Sequence, residues 1–294
     1  MQLDPHHLSA LSAILRHGSF EIAAAELSVT PSAISQRIKS LEDRVGVALV
    51  QRGVPCTGTP AGLRIARHAE DIGLLEAQLG QELAIDRATG PARVKIAVPA
   101  DSLATWFIDA MAQVDDMLFD LVVDDQDHSA EWLRRGEVSA AITVGGQSVT
   151  GCDATALGTL RYLATASPGY MHKWFADGVN HTSLARAPCL TFNQKDNLQR
   201  AWIATQTSQR ISPPSHFLPS TQGFVEAAAA GLGWGMNPEV LAQPFINDDR
   251  LCEVVPNSHL DVALTWQVGR ILAPALAPLT RAVKDAATQA LIRV

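Results

Sequence analysis

Thr30-Pro31-Ser32-Ala33-Ile34-Ser35-Gln36-Arg37-Ile38-Lys39-Ser40-Leu41-Glu42-Asp43-Arg44-Val45-Gly46 is the stretch on which the reading of the whole chain turns. The Thr30 hydroxyl can cap a helix. Pro31 suits the first helical position, where its missing N–H removes no hydrogen bond. Ile34, Ile38, Leu41 and Val45 recur at helical spacing and form one apolar stripe. The opposite face opens with Ser32, Ser35, Gln36, Arg37 and Lys39 and meets no acid before Glu42. Hydroxyls, a carboxamide and cations at the N-terminal half of a helix suit a DNA major groove, where they read base edges or hold phosphates. A polar helix face is more often simply solvated, so the flanking sequence decides.

Upstream, Asp4-Pro5 repeats the cap-and-proline start, and Leu8, Leu11, Ile14 and Leu15 give a first helix its buried stripe, ended by Gly18. Ser19 caps a second, short helix to Leu27, in which Ala23, Ala24 and Ala25 permit close packing. Ser28-Val29 is the turn into the Thr30 helix. Two helices joined this tightly, the second polar at its start, read as a helix-turn-helix. Downstream, Ala48-Leu49-Val50 reads as a short strand and residues 51–58 as a hairpin wing, with Arg52 at its base near a backbone phosphate. Thr59-Pro60 opens a long helix to about Ile85. Its Ile65, Ala69, Ile72, Leu79 and Leu83 approximate a three-four alternation. An ordinary amphipathic helix has the same pattern, but a small head needs two copies to address two half-sites, which favours a dimerisation helix. Thr89-Gly90-Pro91 is the hinge.

The net charge of −7 over 294 residues speaks against a nucleic-acid partner only until its distribution is read. Residues 1–67 carry seven Lys and Arg against five acids, a net of +2, which leaves −9 for the remainder. Phosphate contact depends on a local face, not on global charge. The N-terminus lacks a charged-then-apolar signal pattern and no apolar run reaches about 18 residues, so a cytoplasmic protein with no membrane contact is expected. Cys56, Cys152, Cys189 and Cys252 are far apart. Free thiols, no metal and no cofactor follow. Motifs of nucleophilic, metal-dependent or phosphate-loop enzymes are absent, so no enzyme is expected.

From Arg93 onward strands alternate with helices: Val94–Val98, a helix from about Ser102 to Gln113, Leu121–Val123, a helix ending at Gly136, then Ala140–Val144. This pattern predicts a parallel sheet covered by helices. A second group runs through Tyr162–Ala166, Cys189–Phe192, helices near 198–204 and 222–230, and Gly231–Met236. Val262–Val268 and a final helix return to the first group. One lobe interrupted by another implies two crossings and a cleft, with ligands beyond the carboxyl ends of strands and at helix starts. The candidates there are Asp101, Ser102, Thr105 and Trp106 after the first strand, Asp124 and Asp125 after the second, Thr143 ending the third, and Thr221 capping a helix of the other lobe. Ser102 and the N–H groups after it suit a carboxylate, and the Asp124-Asp125 cluster with Asp127 suits a cation. Together they describe an amino acid, particularly a basic one. A solvated turn and a plain N-cap remain the simpler readings of these two features.

Phe20…Ala23-Ala24…Leu27…Pro31-Ser32-Ala33-Ile34-Ser35-Gln36-Arg37-Ile38-Lys39-Ser40-Leu41-Glu42, with Gly46, Leu49, Arg52 and Thr59-Pro60-Ala61-Gly62, resembles the winged helix-turn-helix of LysR-type transcriptional regulators. The family's usual second wing arginine is replaced here by Gly53-Val54-Pro55. The body resembles the family's effector domain, which is two-lobed like periplasmic binding proteins. Ala100–Trp106, Leu133–Val138, Ser35–Lys39 and Val54-Pro55 are similar to the arginine- and lysine-responsive, ArgP/LysG-like branch, which includes activators of basic amino-acid exporters.

The expected fold is a multi-domain α/β chain. A winged helix-turn-helix spans 1–59 and a linker helix with hinge spans 60–90. A two-lobed effector domain spans 91–294, with lobe 1 at about 91–160 and 266–294 and lobe 2 at about 161–265. The resemblance implies a DNA-binding regulator with Thr30, Pro31, Ser32, Ser35, Gln36, Arg37, Lys39 and Arg52 on a double-stranded operator. It further implies lysine or arginine as effector, a dimer or dimer of dimers, and RNA polymerase as a partner. The alternatives are a regulator with an unrelated small-anion effector and a cytoplasmic amino-acid-binding protein with no DNA role.

Overall fold

The computed structural model describes residues 3–84, 91–124 and 129–293, with the backbone alone at Asp124. The chain divides into two compact units, Met1–Val94 with Asp116–Leu118, and Lys95–Asp115 with Phe119–Val294.

The first unit is built on four capped helices. In α1 (Pro5–His17), α2 (Phe20–Glu26), α3 (Pro31–Val45) and α4 (Pro60–Glu82), the side chains of Asp4, Ser19, Thr30 and Thr59 each accept a backbone N–H of the first turn. Gly18 (φ 65°) and Gly46 (φ 83°) end α1 and α3 in the left-handed region. Leu11, Ile14, Ala23, Ala24, Ile34, Ile38, Leu41 and Leu49 form the core, so three helices share one small apolar centre. Between α3 and α4, β1 (Val50–Gln51) pairs antiparallel with β2 (Thr57–Gly58) as the wing. Glu42 ties α3 to β1, because its Oε1 accepts the N–H groups of Leu49 (2.8 Å) and Val50 (3.3 Å). Gly62 lets α4 lie directly on this strand: a Cβ there would stand 1.9 Å from the Leu49 carbonyl oxygen.

The long helix differs from its expected pattern. Gly62, Ala66 and Leu74 are its buried positions, Ile65, Ala69 and Ile72 are half-buried, and Leu79 and Leu83 are exposed. Leu75, Leu79 and Leu83, spaced by four, form an exposed apolar ridge.

The second unit continues from β3 (Ala92–Pro99) into α5 (Ala100–Ser102), a π-helical segment (Leu103–Phe107) and α6 (Ile108–Met111). Then follow β4 (Met117–Asp124), α7 (Ser129–Arg134), β5 (Ala140–Val144) and the 15-residue β6 (Cys152–Ala166). Next come α8 (Pro168–Trp174), α9 (His181–Arg186), β7 (Cys189–Thr191), α10 (Leu198–Gln206), β8 (Ser215–Phe217), α11 (Thr221–Ala229) and β9 (Gly235–Pro238). The chain closes with α12 (Glu239–Asn247), β10 (Cys252–Glu253), β11 (Leu260–Gly269) and α13 (Ala277–Ala290).

The sheet is mixed rather than parallel. Its order is β10-β6-β11-β5-β3-β4, with β9 also on β6, and β7 and β8 pair separately. β3 and β5 are parallel, while β11 runs antiparallel to both β5 and β6. The reason is topological: β6 leads into the second group of elements and β11 returns from it, so the two crossings lie side by side in opposite directions. Arg161 and Asp261 face each other across this pair in a two-pronged ion pair at 2.8 Å. Among the described residues no helix is long and apolar enough to cross a membrane.

Candidate functional site

On the first unit, α3 presents a polar edge. Pro31, Ser32, Gln36 and Lys39 are exposed, and Ser35 and Arg37 are half-buried at its margin. The Thr30 hydroxyl is spent on the Ala33 N–H (3.2 Å) and on Ser32 Oγ (2.9 Å), which fixes the start of the helix. Arg52, exposed after β1, holds its guanidinium 5.5 Å from the centroid of the Phe20 ring. That stacking restricts a long cation to one side of the wing. Val54, within the Gly53-Val54-Pro55 that stands in place of the family's second wing arginine, is fully exposed.

On the second unit, a cavity of about 520 Å3, counting its open mouth, lies at the end of β3. Its walls are Pro99 to Asp101, Phe192 and Asp196 to Leu198 after β7, Thr221 and Phe224 of α11, and Met236 to Pro238 of β9. Three strands end and four helices begin around it, the position where open α/β sheets hold ligands.

Its polar groups are mostly acceptors. Asp101 Oδ2 accepts the Tyr162 hydroxyl and Oδ1 accepts the Thr221 hydroxyl, both at 2.7 Å. Burial pushes the Asp101 carboxyl above its ordinary value, the two hydroxyls oppose this, and nearby Asp196 pushes it further up. The Asp196 oxygens accept the N–H groups of Phe192 (2.9 Å) and Leu198 (3.0 Å), which shapes the loop before α10. Asn237 is fully buried, and its Nδ2 donates to Thr165 Oγ1 (2.9 Å) and the Gly235 carbonyl (3.5 Å). Its Oδ1 meets no donor among the described residues. A ligand rich in N–H donors and carrying positive charge would satisfy the amide oxygen and favour ionised Asp101.

Of the residues singled out in the sequence, Asp101 and Thr221 are brought together here. Thr221 is the first residue of its helix rather than its cap; Ser220 caps α11, which frees the Thr221 hydroxyl for Asp101. Ser102 is likewise not a cap, because the helix begins at Ala100 and Pro99 occupies the cap position. Its hydroxyl is buried without a partner among the described residues and lies outside the cavity lining. Thr105 donates to the Asp101 carbonyl (2.6 Å), and Trp106 is buried edge-on against Phe107. Thr143 is buried between Gln267 Nε2 (2.8 Å) and the Thr265 carbonyl (3.4 Å). Neither Thr105, Trp106 nor Thr143 lines the cavity. Asp124 ends β4, and Asp125 and Asp127 lie outside the described residues.

Tyr162, Asp196 and Asn237 were not anticipated. Asp196 carried a usable signal, since Asp two residues before the first turn of α10 can cap its loop. Asn237 immediately before Pro238 at a strand end was a weaker one, and Tyr162 had none beyond strand alternation.

Comparison with known proteins gives two family matches. Residues 5–63 match the bacterial regulatory helix-turn-helix protein model, lysR family, and residues 88–288 match the LysR substrate binding domain. The HTH-type transcriptional regulator LysG of Mycobacterium tuberculosis is 43% identical over 290 residues, 98% of this chain and 94% of that protein. The crystal structure of ArgP from Mycobacterium tuberculosis superposes with a TM-score of 0.80 at 42% identity, over 100% of both chains. Full-length LysG from Corynebacterium glutamicum with bound effector Arg gives 0.67 at 36% identity, over 98% of this chain and 99% of that one.

Proposed function

This chain belongs to the LysR family of transcriptional regulators, and from that premise we propose that it reads its operator with α3 and takes arginine or lysine in the Asp101 cavity. As a DNA-binding regulator it is not an enzyme; its named relatives are regulators as well. The observation that carries the effector assignment is the convergence of Asp101, Asp196 and the unmatched Asn237 oxygen on one cavity. A cationic amino acid complements those acceptors. A small anion would face two carboxylates there, which disfavours the alternative effector class. The relative whose structure holds arginine supports the same assignment.

In this reading Ser32, Ser35, Gln36, Arg37 and Lys39 face base edges and phosphates at the start of α3, with Thr30 and Pro31 setting its approach and Arg52 on the backbone beside the groove. The exposed Leu75, Leu79 and Leu83 ridge of α4 joins two chains, and two such dimers form a tetramer. The protein works in the cytoplasm, with RNA polymerase as its further partner, and the gene controlled is one for basic amino-acid export. Effector binding acts by preferring one arrangement of the paired heads over another, since only differential affinity shifts that equilibrium.

Calorimetry on the full chain with arginine, lysine, leucine and glutamate tests the effector. Saturable binding of the two cationic amino acids that is lost in Asp101→Asn is expected, and tighter binding of glutamate than of arginine would sink the assignment. Gel shifts on the upstream DNA of the neighbouring gene, with and without arginine, test the regulatory role.

A further inference from the structure

A second chamber lies in the same unit, behind the loop that carries Asp196. It is about 460 Å3 in size, counting its mouth, and lies between β7, β8 and the start of α10. Cys189, Thr191, Gln199, Arg200 and Ser215 line it, and Asp196 is the only residue it shares with the Asp101 cavity. The loop around Asp196 is therefore a partition between two spaces.

Gln199 is the group the first cavity leaves unexplained. It is 3% exposed, and both its Nε2 and its Oε1 are buried with no hydrogen-bond partner among the described residues. A buried carboxamide that satisfies neither its donors nor its acceptor is costly, and such a group calls for a partner. The neighbouring hydroxyl of Ser215 donates elsewhere, to the Pro213 carbonyl (3.1 Å), and also lies 3.3 Å from Cys189 Sγ. The Cys189 thiol is pushed up by burial, which makes it a neutral wall rather than an anion. Arg200, next along α10, is exposed at the same chamber and forms no ion pair among the described residues. The chamber thus holds one unmatched cation, one unmatched carboxamide and one carboxylate with spare acceptor capacity.

That set complements a carboxylate and an ammonium carried on one carbon. We propose that this chamber is a second ligand site, taking the zwitterionic head of a small free amino acid. Arg200 and Gln199 Nε2 donate to the carboxylate, and Gln199 Oε1 and Asp196 receive the ammonium. The proposal shares Asp196 with the Asp101 cavity but does not depend on which effector that cavity takes, and it requires a ligand side chain small enough to stay within the chamber.

The test titrates glycine and acetate into the full-length wild type and into Asp101→Asn, Gln199→Leu and Arg200→Gln, by calorimetry. Glycine should saturate one site in wild type and in Asp101→Asn. It should bind about tenfold more weakly or worse in the other two variants, as expected for a lost hydrogen bond to a charged group. Acetate, which lacks the ammonium, should bind more weakly than glycine. Gln199→Leu removes an unmatched buried amide and should raise the melting temperature of the unliganded protein. Arg200→Gln changes an exposed residue and guards against misfolding of the first variant. The proposal is overturned if glycine does not bind at tens of millimolar, or if its binding is lost in Asp101→Asn. It is equally overturned by unchanged binding in Gln199→Leu and Arg200→Gln, or by acetate matching glycine. A Gln199→Leu variant that melts lower while still binding glycine marks the amide as held by internal water alone, which also overturns it.

Discussion

In the N-terminal unit every candidate DNA-contacting group lies between Thr30 and Arg52, at α3 with its cap and just past β1. The pocket of the second unit instead draws Asp101, Tyr162, Asp196, Thr221 and Asn237 from elements scattered over more than a hundred positions. The groups of the first are mostly solvated and are held by the local caps at Thr30 and Gly46. Of those of the second, Tyr162, Thr221 and Asn237 are buried and Asp101 and Asp196 are half-buried, and they need either one another or a ligand. A solvated recognition surface can therefore be altered without touching the fold beneath it. A buried polar pocket couples ligand affinity to stability through the same atoms.

The largest effect expected is at Asp101. Replacing the carboxylate that meets a ligand cation in a buried site costs about 2–5 kcal/mol, so Asp101→Asn should weaken arginine by roughly 30-fold or more. Calorimetry on full-length variants measures this. Unchanged affinity would show that the cation is met elsewhere. Gly62→Ala comes next and probes the fold of the head alone. With only 1.9 Å between the new Cβ and the Leu49 carbonyl oxygen, α4 must lift from β1. The loss should reach or exceed the about 1–3 kcal/mol of ordinary overpacking. Its thermal melt should show an early transition and its operator affinity should fall, while its arginine affinity is retained. Loss of both affinities together would break the separation drawn between the units.

Substitutions on the reading surface should be smaller and should leave the melting temperature unchanged. Arg37→Ala should cost about 1–3 kcal/mol on the operator and less on unrelated DNA, if it contacts a base edge. Arg52→Ala should weaken both DNAs alike and lower the salt slope by about one, as expected for a phosphate contact. Gel shifts at several salt concentrations separate the two outcomes. A reversal, with Arg52 specific and Arg37 uniform, would move base reading from the helix to the wing.

The same difference explains what could be read from the sequence. Cap and proline at Asp4-Pro5, Thr30-Pro31 and Thr59-Pro60 are short-range signals, and each opened a helix in the structure. Strands β3, β5 and β11 were visible as apolar runs. The 15-residue β6 was seen only from Tyr162 onward, because its first half alternates weakly and faces solvent. The mixed order of the sheet was hidden for another reason: antiparallel pairing of β6 with β11 joins residues about a hundred positions apart, which no local pattern encodes. The pocket follows that rule. Asp101 and Thr221 could be placed near helix starts one at a time, but not on each other. Their 2.7 Å contact and the Tyr162 hydroxyl on the same carboxylate arise from the crossing strands.

The smallest effect expected is also the one that joins stability to binding. Burial raises the Asp101 pKa above its ordinary 3.8. The unliganded native state therefore keeps a proton in a pH window where the unfolded chain has released it, and stability falls as pH rises through that window. Asparagine does not titrate and still offers an acceptor to one hydroxyl. The melting temperature of Asp101→Asn relative to wild type should thus be lowest near the ordinary aspartate value, rise with pH, and level off once the native carboxyl is ionised. Arginine should reverse the order at neutral pH, because it stabilises only the protein that binds it, by an amount that grows with the logarithm of its concentration. Should the unliganded variant instead melt lower than wild type at neutral pH, Asp101 would be a strut for Tyr162 and Thr221. Arginine would then have to find its counter-ion at Asp196.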